Sequence, residues 1–450
     1  MPPKELQSEE CTINILDNDC LIKIFLYLPI KDRMRIEGVC KRWQTVNQEA
    51  WSDIKELKFP EALDFLYSYI PNVREDKKAA IKKLLPRCGR FLNKLEFGIE
   101  YGSYEFNIIP IIAKYCHNLQ SLIVHFEAYD LICLNITWLF LNLHKIERLK
   151  LTGLDSNFRD ACLIKLPTNT MKELSLEIRA SDFDSDTYCV NITRAGAIGI
   201  QTLKNLWKLE LNGFSFEADE LNLIVRNESI TYLSFKSCCF ENCINLIANF
   251  RGLKYLNLSF ECAVDDNFLI KLAANCTELE ELNIDYCRDV TNNGINAVFK
   301  LKKLTTLKSN GLYKVTNFAI DTVLSKYEAL KVLHCSNCSV SDYGTIELLQ
   351  NAPYLEEIDL TSTSISTEFL DVACNVAISR ANAKPLRIIA NYSSLYNWRR
   401  PQGISESVLI VELLQEYDWG CDDELETQYS LDNPCDCFHR DDFDDFGHQC

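Results

Sequence analysis

The chain contains six histidines, His117, His125, His144, His334, His439 and His448, and 21 cysteines. These side chains bind metals and perform nucleophilic or acid–base catalysis when their spacing allows. A zinc protease needs H-E-x-x-H on one helix face, and a serine hydrolase sets its nucleophile in G-x-S-x-G. Neither string occurs, and no kinase motif set is present. None of the 15 glycines is followed by lysine, so a phosphate loop of the GxxxxGK type is excluded. Cys335 and Cys338 form a lone C-x-x-C without the second pair a zinc ribbon requires. Cys421, Cys435, Cys437, His439, His448 and Cys450 are enough donors for tetrahedral zinc, yet C-x-C-x-H is no recognised ligand spacing. Asp182, Asp184 and Asp186 begin like a calcium loop, but Thr187 and Thr193 stand where that loop needs glycine and glutamate. No catalytic residue, metal or cofactor is assigned.

A chain without catalytic strings directs attention to the elements that repeat. L-x-x-L-x-L recurs from Leu92/Leu95/Phe97 through Leu119/Leu122/Val124 and Leu282/Ile284 to a weak Leu386/Ile389. The steps are 23 to 27 residues, apart from one of 35 and one of 31. This period is that of leucine-rich repeats, about 20–29 residues, and 11–12 repeats fall in register. The length of 450 residues alone suggests three domains; the repeat makes most of it one array. Asp265, Thr291, Thr316, Ser341 and Ser366 form a second register, each after an apolar residue and before a helical apolar pattern. Short polar side chains there cap free N–H groups at a helix start. Each unit thus reads as strand, turn and helix. The expected fold is an α/β solenoid, a leucine-rich-repeat horseshoe with a parallel sheet on its concave face.

The repeat also accounts for cysteines. Cys238, Cys287 and Cys338 occupy the inward N/C position of the repeat, and Cys116 and Cys276 stand three residues before a leading leucine. Cys335 and Cys338 both fall at inward positions, so they read as core. This is the cysteine-containing style of repeat. Ser309 and Asn391 fill apolar strand positions, where looser stacking is expected.

The net charge of −17 argues against nucleic acid as the main partner. Residues 406–450 carry 14 acidic residues against Arg440 alone, which is −13 of that total. Residues 401–450 therefore read as an acidic, disordered tail. Within it Asp441, Asp442, Phe443, Asp444, Asp445 and Phe446 mix acid with aromatics, a composition suited to a basic groove, the solenoid's own concave face among them. Residues 1–13 are polar, with no apolar signal region. The most apolar run, Leu131–Leu143, is interrupted by Asn135, Thr137 and Asn142 and is shorter than the ~20 residues of a span. Cytoplasm or nucleus, with reduced thiols and no membrane partner, is the expected setting.

Between Ile15 and Trp51 lie two helical stripes. Leu21, Ile24, Phe25 and Leu28 form the first, which Pro29 stops; Ile36, Val39, Cys40 and Trp43 form the second. Some 37 residues cannot enclose a large core, so their stripes need a partner. The segment resembles an F-box through Leu16, Leu21, Ile24, Phe25, Leu28-Pro29, Val39-Cys40, Trp43 and Trp51. Two positions depart from that family's pattern: Asp17 stands for proline and Arg33 for leucine.

The resemblance divides the chain into a flexible start at 1–13, a small all-α F-box at 14–52, a helical linker at 53–91, the solenoid at 92–400 and the tail. Lys77, Lys78, Lys82 and Lys83 would lie on the linker helix. The resemblance further implies a non-catalytic substrate receptor of an SCF-type cullin–RING ubiquitin ligase. Its F-box would dock a Skp-family adaptor, and through it cullin and RING subunits, while the repeats hold an unknown protein target. No RING-like ligand series is present in the chain itself. Outward strand positions would contact the target: His125, Lys150, Lys208, Glu210, Tyr255, Asn257, Asn283, Asp285, Lys308, His334 and Asp359. The alternative is a repeat scaffold that joins no ligase, for which Asp17 and Arg33 are the motive.

Overall fold

The structure, a computed structural model, describes residues 13–59, 73–99, 109–126, 136–155, 157–179, 190–317, 329–380, 384–391, 395 and 397–414. The D-x-D-x-D run, the cysteine and histidine donors of the tail and residues 441–446 lie outside this set, as does the helix expected after Thr316. The chain divides into two compact units, residues 1–175 with 202–205, and residues 176–201 with 206–450.

The first unit opens with three short helices, α1 (Asn18–Leu26), α2 (Ile30–Ile36) and α3 (Lys41–Asn47). Leu21, Phe25, Val46 and Ala50 are their buried core, with Leu16, Ile22, Leu28, Ile36 and Trp43 packed around it. The Phe25 and Trp43 rings meet at 5.1 Å. Pro29 ends the first stripe by serving as the N-cap of α2, its φ of −56° preset by the ring.

The segment between the F-box and the first repeat is more than a helix. It contributes β1 (Glu56–Lys58) before the helix α4 (Val73–Cys88). Strand β1 pairs in parallel with β2 (Lys94–Ile99), which pairs with β3 (Ser121–Phe126), which pairs with β4 (Arg148–Leu154). The sheet therefore begins ahead of the expected boundary at 92. On α4, Lys82 and Lys83 are exposed; the side chains of Lys77 and Lys78 lie outside the description.

Strand β5 (Glu173–Ile178) spans the division between the units. In the second unit β7 (Lys208–Asn212), β9 (Tyr232–Ser234), β11 (Tyr255–Asn257), β12 (Glu281–Asn283), β13 (Thr306–Lys308), β14 (Val332–His334), β15 (Glu357–Asp359), β16 (Leu386–Asn391) and β17 (Leu409–Leu414) pair in parallel, each with the next. Leu209, Leu233, Leu256, Leu282, Leu307, Leu333 and Ile358 are in mutual register and buried. Each fully buried Leu or Ile contributes about 1.5–3 kcal/mol, and none could fill its site without the neighbouring repeat. Strand β17 lies inside the stretch expected to be a disordered tail, so the repeat sheet continues at least to Leu414.

The 35-residue step holds β6 (Val190–Asn191) and the helix Arg194–Gln201. Strand β6 joins β8 (Phe214–Phe216) and β10 (Cys239–Phe240) in a second, three-stranded parallel sheet. Of the five expected caps, three are made, Ser341 varies, and the helix after Thr316 lies outside the described residues. Asp265 accepts from the Phe268 amide at 2.8 Å, Thr291 from Asn293 at 3.2 Å and Ser366 from Glu368 at 3.2 Å. Ser341 occupies the N-cap but its hydroxyl accepts from Asn317 Nδ2 instead.

Inward cysteines bond to the preceding repeat. The thiols of Cys238, Cys287 and Cys338 donate to the carbonyls of Leu211, Leu258 and Ser309 at 2.9, 3.1 and 3.1 Å. Burial pushes the Cys338 thiol up to about 11 and those of Cys116 and Cys276 up to about 12. Ser309 and Asn391 do not leave the stack unpaired. Ser309 donates its amide and hydroxyl to the His334 carbonyl, and Asn391 Oδ1 accepts from the Ser362 amide.

Candidate protein-binding faces

The ten apolar positions of the N-terminal helices separate into supports and surface. Leu21, Phe25 and Trp51 are buried, and Leu16, Leu28 and Trp43 are half-buried against the core. Ile24, Pro29, Val39 and Cys40 are exposed, joined by Ile13, Ile15 and Tyr27, which the sequence pattern did not single out. Val39 is 61% exposed and Tyr27 90% exposed, high values for residues of this size. The buried members therefore hold the exposed ones in place.

Both departures from the F-box pattern have local partners. Asp17 is the N-cap of α1 and accepts from the Cys20 amide at 2.7 Å. That bond holds its carboxyl below the usual range. Arg33 is buried and spreads its guanidinium over three carbonyls, Leu26 at 2.6 Å, Leu28 at 2.8 Å and Ala50 at 2.5 Å. It also binds both oxygens of Asp53, at 2.5 and 2.7 Å, and lies 5.9 Å from the Trp51 ring centre. A single side chain thus fastens the end of α1 to the residues after α3, a task that leucine cannot perform. Arg42 completes the frame by donating to the Leu16 carbonyl.

The F-box helices are fixed to the first repeat. Arg87 of α4 binds the Glu37 carboxylate through Nε and Nη2, at 2.8 and 2.6 Å. Arg90 reaches Glu49 at 2.9 Å, and the Asn93 amide donates to the Lys55 carbonyl at 2.7 Å.

Of the eleven strand residues expected to face a target, Lys150 is exposed, and His125, Lys208, Glu210, Tyr255, Asn257, Asn283, Asp285, Lys308, His334 and Asp359 are half-buried. In the first unit His125 Nδ1 lies 2.8 Å from Thr152 Oγ1. In the second unit the face carries features the repeat pattern did not reveal. Tyr232 and Tyr255 stack at 3.8 Å, Trp207 meets Tyr232 edge-on at 6.3 Å, and Lys208 Nζ lies 4.5 Å over Tyr232. Burial, followed by hydrogen bonding to Tyr255, pushes the Tyr232 hydroxyl far above its ordinary value. Further along, Glu357 accepts from His334 and Arg387, and Arg387 also grips Glu412 of β17. Burial raises the Glu357 carboxyl, but the bonds from His334 and Arg387 outweigh it and leave the group below the usual range. Desolvation raises Asp285.

Beyond the strands, seven equivalent turn positions have left-handed φ: Gly213, Ser237, Phe260, Tyr286, Gly311, Asn337 and Ser362, between +53° and +80°. Gly, Asn and Ser suit this conformation; a large aromatic pays about 1–2 kcal/mol there. Phe260 and Tyr286 are nevertheless adjacent in the ladder, stacked at 4.8 Å, and about 40% exposed. The signal available in the sequence was their alignment with Gly213 and Gly311. Among the described residues no group of three or more histidine, cysteine, aspartate or glutamate side chains could hold a metal, and no helix is long and apolar enough to cross a membrane.

Comparison with known proteins agrees at the N-terminus: residues 13–46 match the family model of the F-box domain. A Caenorhabditis elegans protein, EEED8.10, named as a candidate RNA-binding protein, is 22% identical over 374 residues, covering 76% of this chain and 49% of its own. The chain thus spans about half the length of that curated relative. Among solved structures, Rad7 in its yeast complex with Elc1 is similar at a TM-score of 0.47 and 14% identity, covering 85% of this chain and 98% of that one. The internalin inlF of Listeria monocytogenes scores 0.45 at 16% identity, covering 86% and 95%.

Proposed function

We propose that this chain is the substrate-recognition subunit of an SCF-type cullin–RING ubiquitin ligase. The F-box docks a Skp-family adaptor, which brings cullin and RING subunits, and the repeats hold a protein target. The chain supplies no chemistry; it raises the effective concentration of a target lysine near a ubiquitin-conjugating enzyme. It acts in the cytoplasm or nucleus. Its repeats belong to the cysteine-containing subtype, a reading supported by the thiol-to-carbonyl bonds of Cys238, Cys287 and Cys338.

The observation that carries the proposal is the apolar surface of the F-box. Ile24, Tyr27 and Val39 stay exposed while Leu21 and Phe25 beneath them are buried. A small helical unit that leaves such residues in water at its own expense is suited to a partner's groove. The free-standing scaffold loses its motive, since Asp17 and Arg33 each serve the fold of the F-box. RNA binding, the property named for the C. elegans relative, is disfavoured by the net charge of −17 and by the ion pairs that occupy Lys208 and Arg387 on the strand face.

The test is binding of the full chain to a purified Skp-family adaptor. Leu28 and Trp43 are poor sites for the disrupting variant because both pack on the core. Ile24→Asp with Val39→Asp changes exposed positions and should abolish micromolar binding without lowering the melting temperature. Absence of binding by the unmodified chain would return the reading to a scaffold.

A further inference from the structure

The Phe260–Tyr286 stack is not explained by folding, since left-handed aromatics are tolerated here rather than needed. We propose that this ridge is a docking surface for an acidic, phenylalanine-bearing segment, and that its built-in occupant is residues 441–446 of the same chain. Three observations lead there.

The first is the display of the rings. Tyr286 lies against Gly311, where an added Cβ would come within 2.5 Å of the ring, and Phe260 covers its other side. Lys236 lies 5.5 Å over Phe260. The faces are filled and the edges are shown to solvent. Ring edges carry the positive side of the aromatic quadrupole, so they favour carboxylates and the faces of other rings.

The second is charge. Lys236 and Lys308 have no carboxylate within salt-bridge distance among the described residues, unlike Lys208, which is bound to Glu210 at 3.0 Å. Residues 441–446 offer four carboxylates and two phenylalanines. Lys236 lies over Phe260, so the carboxylates of the segment would fall toward Lys236 and its phenyl groups toward the ring edges.

The third is reach. Strand β17 ends at Leu414, and 26 residues separate it from Asp441. A chain of that length with random-coil dimensions would span roughly 29 Å on average. From β17 back to β11 are six strand spacings, about 29 Å along the sheet. A tether whose mean span matches the distance gives the highest effective concentration, in the millimolar range for short flexible linkers.

The segment would therefore compete with a target for this face. The proposal rests on the strand face being a protein-binding face and not on adaptor docking, so the adaptor is absent from its test. In the full chain, Phe443 is replaced by a benzophenone-bearing phenylalanine, the protein is irradiated at low concentration and the crosslinked peptides are mapped. Intrachain crosslinks to the segments around Phe260 and Tyr286 are expected. They should fall at least tenfold in Lys236→Glu, an exposed site, and also in Phe260→Gly, which suits the φ of +66°. Crosslinks to other surfaces, crosslinks indifferent to Lys236→Glu, or crosslinks whose yield rises with protein concentration because a second copy is the occupant would each overturn the proposal.

Discussion

Replacing Arg33 with leucine, the residue the F-box pattern favours, should destabilise this F-box rather than normalise it. The substitution removes five hydrogen bonds at once, to the carbonyls of Leu26, Leu28 and Ala50 and to both oxygens of Asp53. A buried carbonyl left without a donor costs about 1–3 kcal/mol. The Asp53 pair adds little, about 0–1 kcal/mol, because that carboxylate is 43% exposed. Leucine recovers some apolar contact with Trp51, so the net loss is about 3 kcal/mol, roughly 150-fold in a local opening equilibrium. Amide hydrogen exchange read by mass spectrometry measures this directly. Protection should fall across residues 18–53 while β3 keeps its own. Arg33→Lys should recover only part, because an ammonium cannot span a carboxylate and three carbonyls together. The arginine also leaves a pH signature. Its hydrogen bond to Asp53, the largest influence there, lowers that carboxyl below its ordinary value. The resulting stability is present above the unfolded carboxylate range near pH 4 and is lost as pH falls through the lowered value. That acid slope should be missing in Arg33→Leu. Unchanged protection in residues 18–53 would refute the reasoning.

Other outcomes follow from the same geometry. Gly153→Ala should destabilise the first unit by at least about 2 kcal/mol, seen as faster exchange in β3 and β4, since φ is +73° and the new Cβ would stand 2.0 Å from the Phe126 carbonyl oxygen. Asp265→Ala should cost about 1 kcal/mol of thermal stability through its lost cap bond, and Ser341→Ala less, because that hydroxyl makes no cap bond. At pH 8 a maleimide should label exposed Cys40 in the native chain, while Cys116 and Cys276, with thiols near 12, react only after denaturation.

The repeat was legible because its signal is periodic: one buried leucine per strand recurs in register, and Asp265, Thr291 and Ser366 cap where their spacing indicated. Strand β1 escaped because three residues with a single inward Leu57 carry no period. Strand β17 escaped because its apolar run stands at the head of an acidic stretch whose composition suggested disorder throughout. The F-box helices were legible as stripes, but a stripe does not separate core from surface, and Leu21 and Ile24 read alike though one is buried and the other exposed. Arg33 looked like a flaw because its bonds reach 5 to 20 residues along the chain, a distance no local pattern records. Phe260 and Tyr286 were invisible for a similar reason: their meaning lies in a backbone angle shared with glycines in neighbouring repeats.

The junction between α2 and α4 sets the mechanics of the N-terminal part. Arg87 grips Glu37 through two nitrogens, and β1 joins the sheet edge immediately after the helices. The F-box is thus the end of a lever whose first rungs are β1 and β2, not a bead on a string. A displacement of the F-box helices is therefore passed through Arg87 and β1 to the first strands of the same unit. Loosening the grip with Glu37→Gln would then uncouple the two, so that the helices and β1 lose exchange protection independently.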